Sequence, residues 1–373
     1  MHIFIYSHAP WAPSGYGTQV AGLSKHLTAA GHEVSIIAIE YHSTPLKFEN
    51  YKVLPCRPGV LKSYYDLYYW AEKEKPDIII QLFDAWVIGH TWIDKYNIPV
   101  ICYNPVDSAD ICRNFKESCK NAKLHIAMSP HAKLAFDRKG ITPNEYIPHC
   151  LNPIFQPTEN SRKDLNIPAD AFIFGLIGTN LTYRKNIPQQ VLAFKNFLLR
   201  THAKNAYLYI HSAFYETLTT SYSLDYLIES LDLKDRVMHT HQQKYLLNDI
   251  TEAAMNKIYN SIDVLLCCSL GEGFGIPIIE AQACGKPVIT TNASAMPYTA
   301  GAGALLCENL TPICDSGHMG WWAQPTVDEI TEHMISIYED KRLREQLSER
   351  AIENAKQYLW SDWINVWFKI LQA

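Results

Sequence analysis

Two carboxylates with a glycine-rich turn between them are the residues of this chain best suited to chemistry. Glu272 and Glu280 have seven residues between them, within Leu270-Gly271-Glu272-Gly273-Phe274-Gly275-Ile276-Pro277-Ile278-Ile279-Glu280. Pro277 suits the first turn of a helix, where its fixed φ fits and its missing N–H is not needed. A glycine turn feeding a helix start aims unpaired N–H groups outward and adds the positive end of the helix dipole. That makes an anion site, most often for phosphate. The carboxylates cannot bind the phosphate, but they accept well from vicinal hydroxyls. Phosphate in the middle with sugar hydroxyls at either end describes a nucleotide sugar. The plainer alternative is a strand–turn–helix whose glutamates are only solvated.

Three further loops carry polar residues after an apolar run. In Gly175-Leu176-Ile177-Gly178-Thr179-Asn180-Leu181-Thr182-Tyr183-Arg184-Lys185-Asn186 two adjacent cations precede a helix. Such a pair can neutralise a diphosphate, arginine as a planar fork and lysine as a point charge; a solvated charged loop is the alternative. In Pro10-Trp11-Ala12-Pro13-Ser14-Gly15-Tyr16-Gly17-Thr18-Gln19, Gly15 and Gly17 let backbone approach a ligand closely, or simply make a turn. In Cys102-Tyr103-Asn104-Pro105-Val106-Asp107, the aspartate either meets a ligand or caps the following helix. Asp84, in Leu82-Phe83-Asp84-Ala85-Trp86, and His8 are lesser candidates of the same kind. No Asp-x-Asp pair and no Gly-x-Ser-x-Gly element occurs, so neither a metal-held diphosphate nor a supported serine nucleophile is expected.

The elements that must hold these loops follow the pattern of parallel sheets covered by helices. Strands are expected at His2–Tyr6, Glu33–Ala38, Ile78–Leu82, Val100–Tyr103, His125–Met128 and Glu145–Ile147. Helices are expected at Thr18–Ala30 and from Ser129-Pro130 to Gly140. The stretch from His149 to Pro168, with three prolines, is the best linker. The pattern then restarts with strands at Phe172–Ile177, Ala206–Ile210 and Asp263–Cys268, and helices at Pro188–Arg200 and Thr251–Asn260. Gly285 stops the helix that begins near Pro277, and Pro287-Val288-Ile289-Thr290 opens another strand. From Val327 the chain reads as helical almost to its end, with Trp360, Trp363 and Trp367 at helical spacing on a packing face.

Length and composition bound the answer. At 373 residues the chain suits two domains of similar size. A hydrophobic content of 47% with 19% charged residues is that of an ordinary globular protein. Residues 1–160 hold 15 basic and 15 acidic residues, leaving 18 against 23, so neither half has the basic excess of a nucleic-acid binder. No apolar run is long enough to span a bilayer and no secretory signal is visible. Ten irregularly spaced cysteines read as free thiols of a cytoplasmic protein. Cys307, Cys314 and His318 lack a fourth partner for zinc and read as a loop insertion.

Taken together, the two glutamates, the Gly-Phe-Gly-Ile-Pro core and the trailing Glu280-Ala281-Gln282-Ala283-Cys284-Gly285-Lys286-Pro287-Val288 resemble the retaining glycosyltransferases of family 4, within glycosyl transferases group 1. The resemblance implies the α/β GT-B fold, two Rossmann-like domains facing across a cleft. Residues 1–155 would form an acceptor-binding domain and 156–345 a nucleotide-sugar-binding domain, with helices in 346–373 crossing back to the first. Glu272 would accept from the sugar and Glu280 from the ribose. Arg184 and Lys185, with backbone at Gly273, Phe274, Gly275 and Ile276, would grip the diphosphate.

The sequence also departs from the family pattern. Thr179 fills a slot where the family has arginine, which leaves open which cation meets which phosphate, and Asp107 stands where many members place a histidine. Gly15 and Gly17 match the family's first glycine-rich loop, between acceptor and donor phosphate. No cofactor and no metal are expected. The partners implied are a nucleotide-sugar donor and an acceptor of open identity: lipid-linked sugar, glycan, small molecule, protein or modified nucleic-acid base. A peripheral membrane contact through the aromatics Tyr64, Tyr65, Tyr68, Tyr69 and Trp70 is a further expectation. The alternatives are a catalytically silent nucleotide-sugar-binding protein, or an isomerase or phosphorylase on the same fold.

Overall fold

Apolar runs without alternation form strands buried on both faces, as parallel sheets require. Every residue of Ile78–Leu82 is buried, and so is every residue of Val100–Asn104. The computed structural model describes residues 1–41, 43–48, 50–57, 60–85, 97–111, 115–159, 161–165, 167–180, 183–215, 222–247, 249–315 and 320–372; the side chains of 60–64, 116–117 and 164 lie outside that description. The chain divides into two units. One comprises Met1–Cys150, Asp315–Gly320 and Trp360–Ala373, the other Leu151–Cys314 and Trp321–Leu359.

The first unit runs β1 (His2–Ser7), α1 (Gly15–Ala29), β2 (Glu33–Ala38), β3 (Leu46–Phe48), β4 (Tyr51–Pro55), α2 (Val60–Glu74), β5 (Ile78–Leu82) and β6 (Val100–Asn104). It continues with α3 (Phe115–Cys119), β7 (Leu124–Ala127), α4 (Pro130–Lys139) and β8 (Asn144–Tyr146). Its sheet has the order β3-β4-β2-β1-β5-β6-β7-β8, parallel throughout except that β3 runs antiparallel to β4. The helix α4 has both stops that the sequence predicts. The Ser129 hydroxyl accepts from the Ala132 N–H at 3.1 Å, and Gly140 closes the helix in the left-handed region.

The second unit contains α5 (Ser161–Asp164), β9 (Phe172–Ile177), α6 (Ile187–Thr201), β10 (Ala206–His211), α7 (Leu224–Ser230), β11 (Val237–His239) and α8 (Gln242–Leu246). Then come α9 (Glu252–Ser261), β12 (Val264–Cys267), α10 (Ile276–Ala283), β13 (Val288–Thr291), α11 (Met296–Ala300) and β14 (Ala304–Cys307). A pair of strands, β15 (Leu310–Asp315) and β16 (Gly320–Pro325), precedes α12 (Val327–Glu339), α13 (Lys341–Ala355) and α14 (Trp360–Gln372), the last belonging to the first unit. The main sheet is all parallel, β11-β10-β9-β12-β13-β14. Side chains of α6, α7 and α12, among them Phe194, Ile228 and Met334, share one apolar core on the sheet, whereas α10 packs with α9 and α13. The sheet is thus covered on both faces.

The tryptophan stripe of α14 packs within the first unit. Trp360 lies 5.1 Å from the His26 ring of α1 and Trp367 lies 5.5 Å from Tyr103 of β6, ring to ring. The unit boundary falls at 150/151 rather than 155/156, and the expected segment 346–373 is split. Its first part stays with the second unit, because the Ser348 hydroxyl donates to the Gly285 carbonyl at 2.6 Å and the Asn354 amide to Gln282 at 2.6 Å. Where a loop insertion is expected at Cys307, Cys314 and His318, the described residues include the end of β14 at Cys307 and the strand β15, which pairs with β16; His318 lies outside them.

Candidate active site

In the second unit the chain leaves β9 for β10 and β11 on one side, then returns to β12 on the other. β9 and β12 are therefore neighbours at a switch point of the sheet, where open α/β folds bind ligands beyond the carboxyl ends of the strands. Tyr183–Lys185 form a short 3-10 turn after β9, and the glycine-rich segment follows β12. The two strongest sequence motifs, nearly ninety positions apart, are thus brought to one place.

There Arg184, Lys185 and Glu272 form a single ion cluster. Lys185 Nζ lies 2.6 Å from Glu272 Oε1 and Arg184 donates to Oε2 at 2.9 Å. The Ser269 hydroxyl donates to Oε1 at 2.6 Å, and Arg184 also donates to the Gly271 carbonyl at 2.6 Å. Glu272 is 6% exposed. Burial pushes its carboxyl up, but Lys185 and Arg184 outweigh that and hold it down to about 2. A carboxylate offers about four acceptor positions. Among the described residues three are used, so one on Oε2 is not taken by a described side chain.

The start of α10 stands next to this cluster. Its cap residue Gly275 has φ +95° and no side-chain hydrogen bond closes the helix end. That backbone conformation favours glycine; a Cβ there would meet Ile278 Cδ1 at 2.9 Å, the end of a side chain that can shift. The Phe274 carbonyl accepts from Thr299 at 2.7 Å and the Glu272 N–H donates to Ser294 at 3.0 Å, fixing the turn. Gly273 is half-buried in it, and Ile276 with Pro277 forms the first turn of the helix.

Glu280 lies on the half-buried side of α10 and accepts from the Tyr259 hydroxyl of α9 at 2.7 Å. Burial raises its carboxyl to about 8; the Tyr259 hydroxyl opposes this and Glu252 adds to it. The folded state therefore holds a proton that the unfolded chain gives up near the ordinary value of 4.5. Glu280 favours folding below that value, and the contribution is lost as pH rises to about 8. Glu280→Gln should melt higher than the parent at pH 8, with the gap closing towards pH 5. Parallel thermal melts across that range check it; an unchanged gap would leave Glu280 ionised throughout.

The first unit gathers most of its candidates, all but Asp107, at the switch point between β1 and β5. His8 pairs with Glu40 and stacks on Tyr16 with ring centroids 5.5 Å apart. The Tyr16 hydroxyl donates to Asp84 at 2.9 Å. Gly15 and Gly17 occupy the first turn of α1, capped by Ser14. A Cβ at Gly17 would lie 2.4 Å from the Ala12 carbonyl, so this glycine lets the loop fold on itself. Asp107 is half-buried beyond β6, near enough to His131 to act on its charge. Trp86 lies outside the described residues.

The model of the family described as glycosyl transferases group 1 matches residues 157–357, more than half of the chain. The chain belongs to this family.

An uncharacterised glycosyltransferase of Methanocaldococcus jannaschii is 25% identical, over 77% of this chain and 79% of that protein. Several other curated relatives are spanned over only about a quarter to a half of their length. Among solved structures, sucrose-phosphate synthase from Thermosynechococcus elongatus superposes with a TM-score of 0.80 at 17% identity, covering 100% of this chain and 98% of that one. Anabaena HepE in complex with UDP-glucose gives 0.71 at 16%, covering 100% and 99%. The fold is GT-B.

In this family member Thr179 is half-buried in the bend after β9, while Leu181 and Thr182 lie outside the described residues. Cys307 is buried beside Cys268 and His333, Cys314 is exposed, and His318 lies outside the description. Among the described residues no three His, Cys, Asp or Glu side chains could hold a metal ion together. The aromatics of α2 divide. Tyr65 and Tyr69 are exposed, Trp70 is buried with its indole N–H donating to the Pro55 carbonyl at 2.9 Å, and the Tyr64 side chain is not among those described. No helix among the described residues is long and apolar enough to cross a membrane. Sequence reasoning missed the Tyr259–Glu280 contact and the direct pairing of Glu272 with both cations. A buried glutamate 87 and 88 positions from its partners leaves no local signal.

Proposed function

We propose that this chain transfers a sugar from a nucleotide-sugar donor to an acceptor hydroxyl, with retention of configuration and without a metal. The observation that carries the reading is the Arg184–Lys185–Glu272 cluster beside the open start of α10. The likeness to HepE in its UDP-glucose complex supports the donor class. The diphosphate takes the N–H groups around Phe274, Gly275 and Ile276 together with Lys185 and Arg184, and Gly273 lets it approach. Glu280 meets the ribose hydroxyls; Glu272, through its remaining lone pair, meets a hydroxyl of the sugar. Thr179, Gly15 and Gly17 border the donor, and Asp107 addresses the acceptor or the transferred sugar.

As the bond from the anomeric carbon to the diphosphate oxygen breaks, charge gathers on the leaving group, where the two cations and the helix start stabilise it. The acceptor oxygen attacks from the same face, and its proton passes to the departing diphosphate. Eight of the nine described cysteines are buried, and none pairs with another described cysteine in a disulfide, which supports a cytoplasmic location. Exposed Tyr65 and Tyr69 support a peripheral membrane contact.

The test is transfer from a panel of nucleotide sugars, followed by NMR at the anomeric proton with and without EDTA. The expected product keeps the donor's anomeric configuration, at a rate within about twofold in chelator. Inversion, or loss of activity in EDTA, would contradict the reading.

A further inference from the structure

On the α6 side of the ion cluster the second unit contains a cavity of about 280 Å³ that none of the roles above uses. Tyr183, Asn186, Gln189, Tyr222, Leu270 and Gln324 line it, and among the described residues no charged side chain does. It lies away from Glu280, which faces α9. The walls are built rather than incidental. The Leu270 N–H donates to the Arg184 carbonyl at 2.8 Å, and the Ala323 N–H of β16 donates to the Leu270 carbonyl at 3.1 Å. Asn186 holds the left-handed conformation at φ +52°, and its amide donates to the Cys268 carbonyl at 3.0 Å. Asn180 fixes Tyr222 by exchanging hydrogen bonds with both its carbonyl and its N–H, at 2.6 and 3.0 Å.

The polar groups facing the cavity have capacity to spare. Among the described residues the Gln189 side chain makes no hydrogen bond, and Gln324 uses only one N–H, in a long contact of 3.4 Å to Asn186. Amides offer donors and acceptors side by side, which matches a hydroxyl that both gives and takes. Tyrosine rings and Leu270 supply apolar surface for C–H faces. A nucleobase would want parallel ring faces to stack between. Here Tyr183 stands edge-on to Trp322, at 62° and 5.4 Å. The lack of charge among the described lining residues disfavours phosphate or carboxylate ligands. The volume is at the small end for ligand pockets, roughly one sugar ring.

The geometry points to an accessory subsite for a neutral saccharide unit in this cavity, separate from the donor's determinants and independent of the donor reading. One shared chemistry covers two sources, a free sugar or one unit of a longer glycan.

Saturation-transfer NMR on the full chain, held in excess UDP, GDP or ADP, tests it with methyl glycosides of glucose, mannose, galactose and N-acetylglucosamine. Matching disaccharides form a second arm. At least one glycoside should receive signal while the nucleotide is bound. Gln189→Trp, which puts a bulky ring at the cavity wall, should weaken that binding at least tenfold. The milder Tyr222→Phe should weaken it about threefold, and both variants should bind nucleotide within twofold of the parent. Tighter binding of a disaccharide assigns the site to a glycan chain, and equal binding assigns it to a single sugar. Silence from every glycoside, full binding to Gln189→Trp, or displacement of the glycoside by nucleotide would each overturn the subsite. Nucleotide binding is read separately, so failure of the donor reading appears as its own result.

Discussion

Glu272→Ala is expected to lower turnover by about 10²–10³-fold while nucleotide diphosphate binds as well as before or better. The two effects part because of what Glu272 touches. Its carboxylate holds Lys185 and Arg184 in place at 2.6 and 2.9 Å, so its loss removes the group that aligns the two cations where charge builds on the leaving group, although Arg184 keeps its bond to the Gly271 carbonyl. The same loss removes a negative charge beside a diphosphate, which favours binding of the anion. Steady-state kinetics together with calorimetric titration of the nucleotide separate the two. Weakened nucleotide binding with normal turnover would place Glu272 in ground-state binding instead.

The second large effect belongs to Lys185. Hydrogen bonds to charged groups are worth about 1.5–3 kcal/mol, so Lys185→Ala should weaken nucleotide diphosphate binding by roughly 10–100-fold. It should also lower the melting temperature. Glu272 is buried, and the variant removes the first of the two cations that hold its carboxyl down, leaving a buried acid with one charged partner fewer. Adding Glu272→Gln to Lys185→Ala removes that acid. Melting temperature should recover while nucleotide affinity does not. Recovery of both would make Lys185 a structural counter-ion to Glu272 with no part in holding phosphate.

These two variants turn on contacts that were only partly legible beforehand. The sequence supports β12, the turn and α10 well, because an unbroken apolar run, a glycine turn and Pro277 agree on one answer. The same holds for α4, whose Ser129, Pro130 and Gly140 all serve as predicted. The strands β3 and β11 are three residues each, and β3 is partly exposed, so neither has a periodicity to read. β15 and β16 carry mixed exposure and pair only with each other, which leaves no core-facing pattern. The sequence marks Arg184, Lys185 and Glu272 as candidates. That they pair depends on β9 and β12 being neighbours, a fact of strand order rather than of local residue type. Glu280 was legible as a hydroxyl acceptor. Its raised proton affinity follows from burial against α9, set by packing between helices that no spacing encodes.

The measurement closest to the central claim is a crystal structure of this chain with a nucleoside diphosphate that raises its melting temperature. The phosphate oxygens should lie within hydrogen-bond distance of the backbone N–H groups between Phe274 and Ile276 and of Lys185 Nζ, with the ribose hydroxyls at Glu280. A diphosphate bound anywhere else in the second unit, with the start of α10 left empty, would contradict the account.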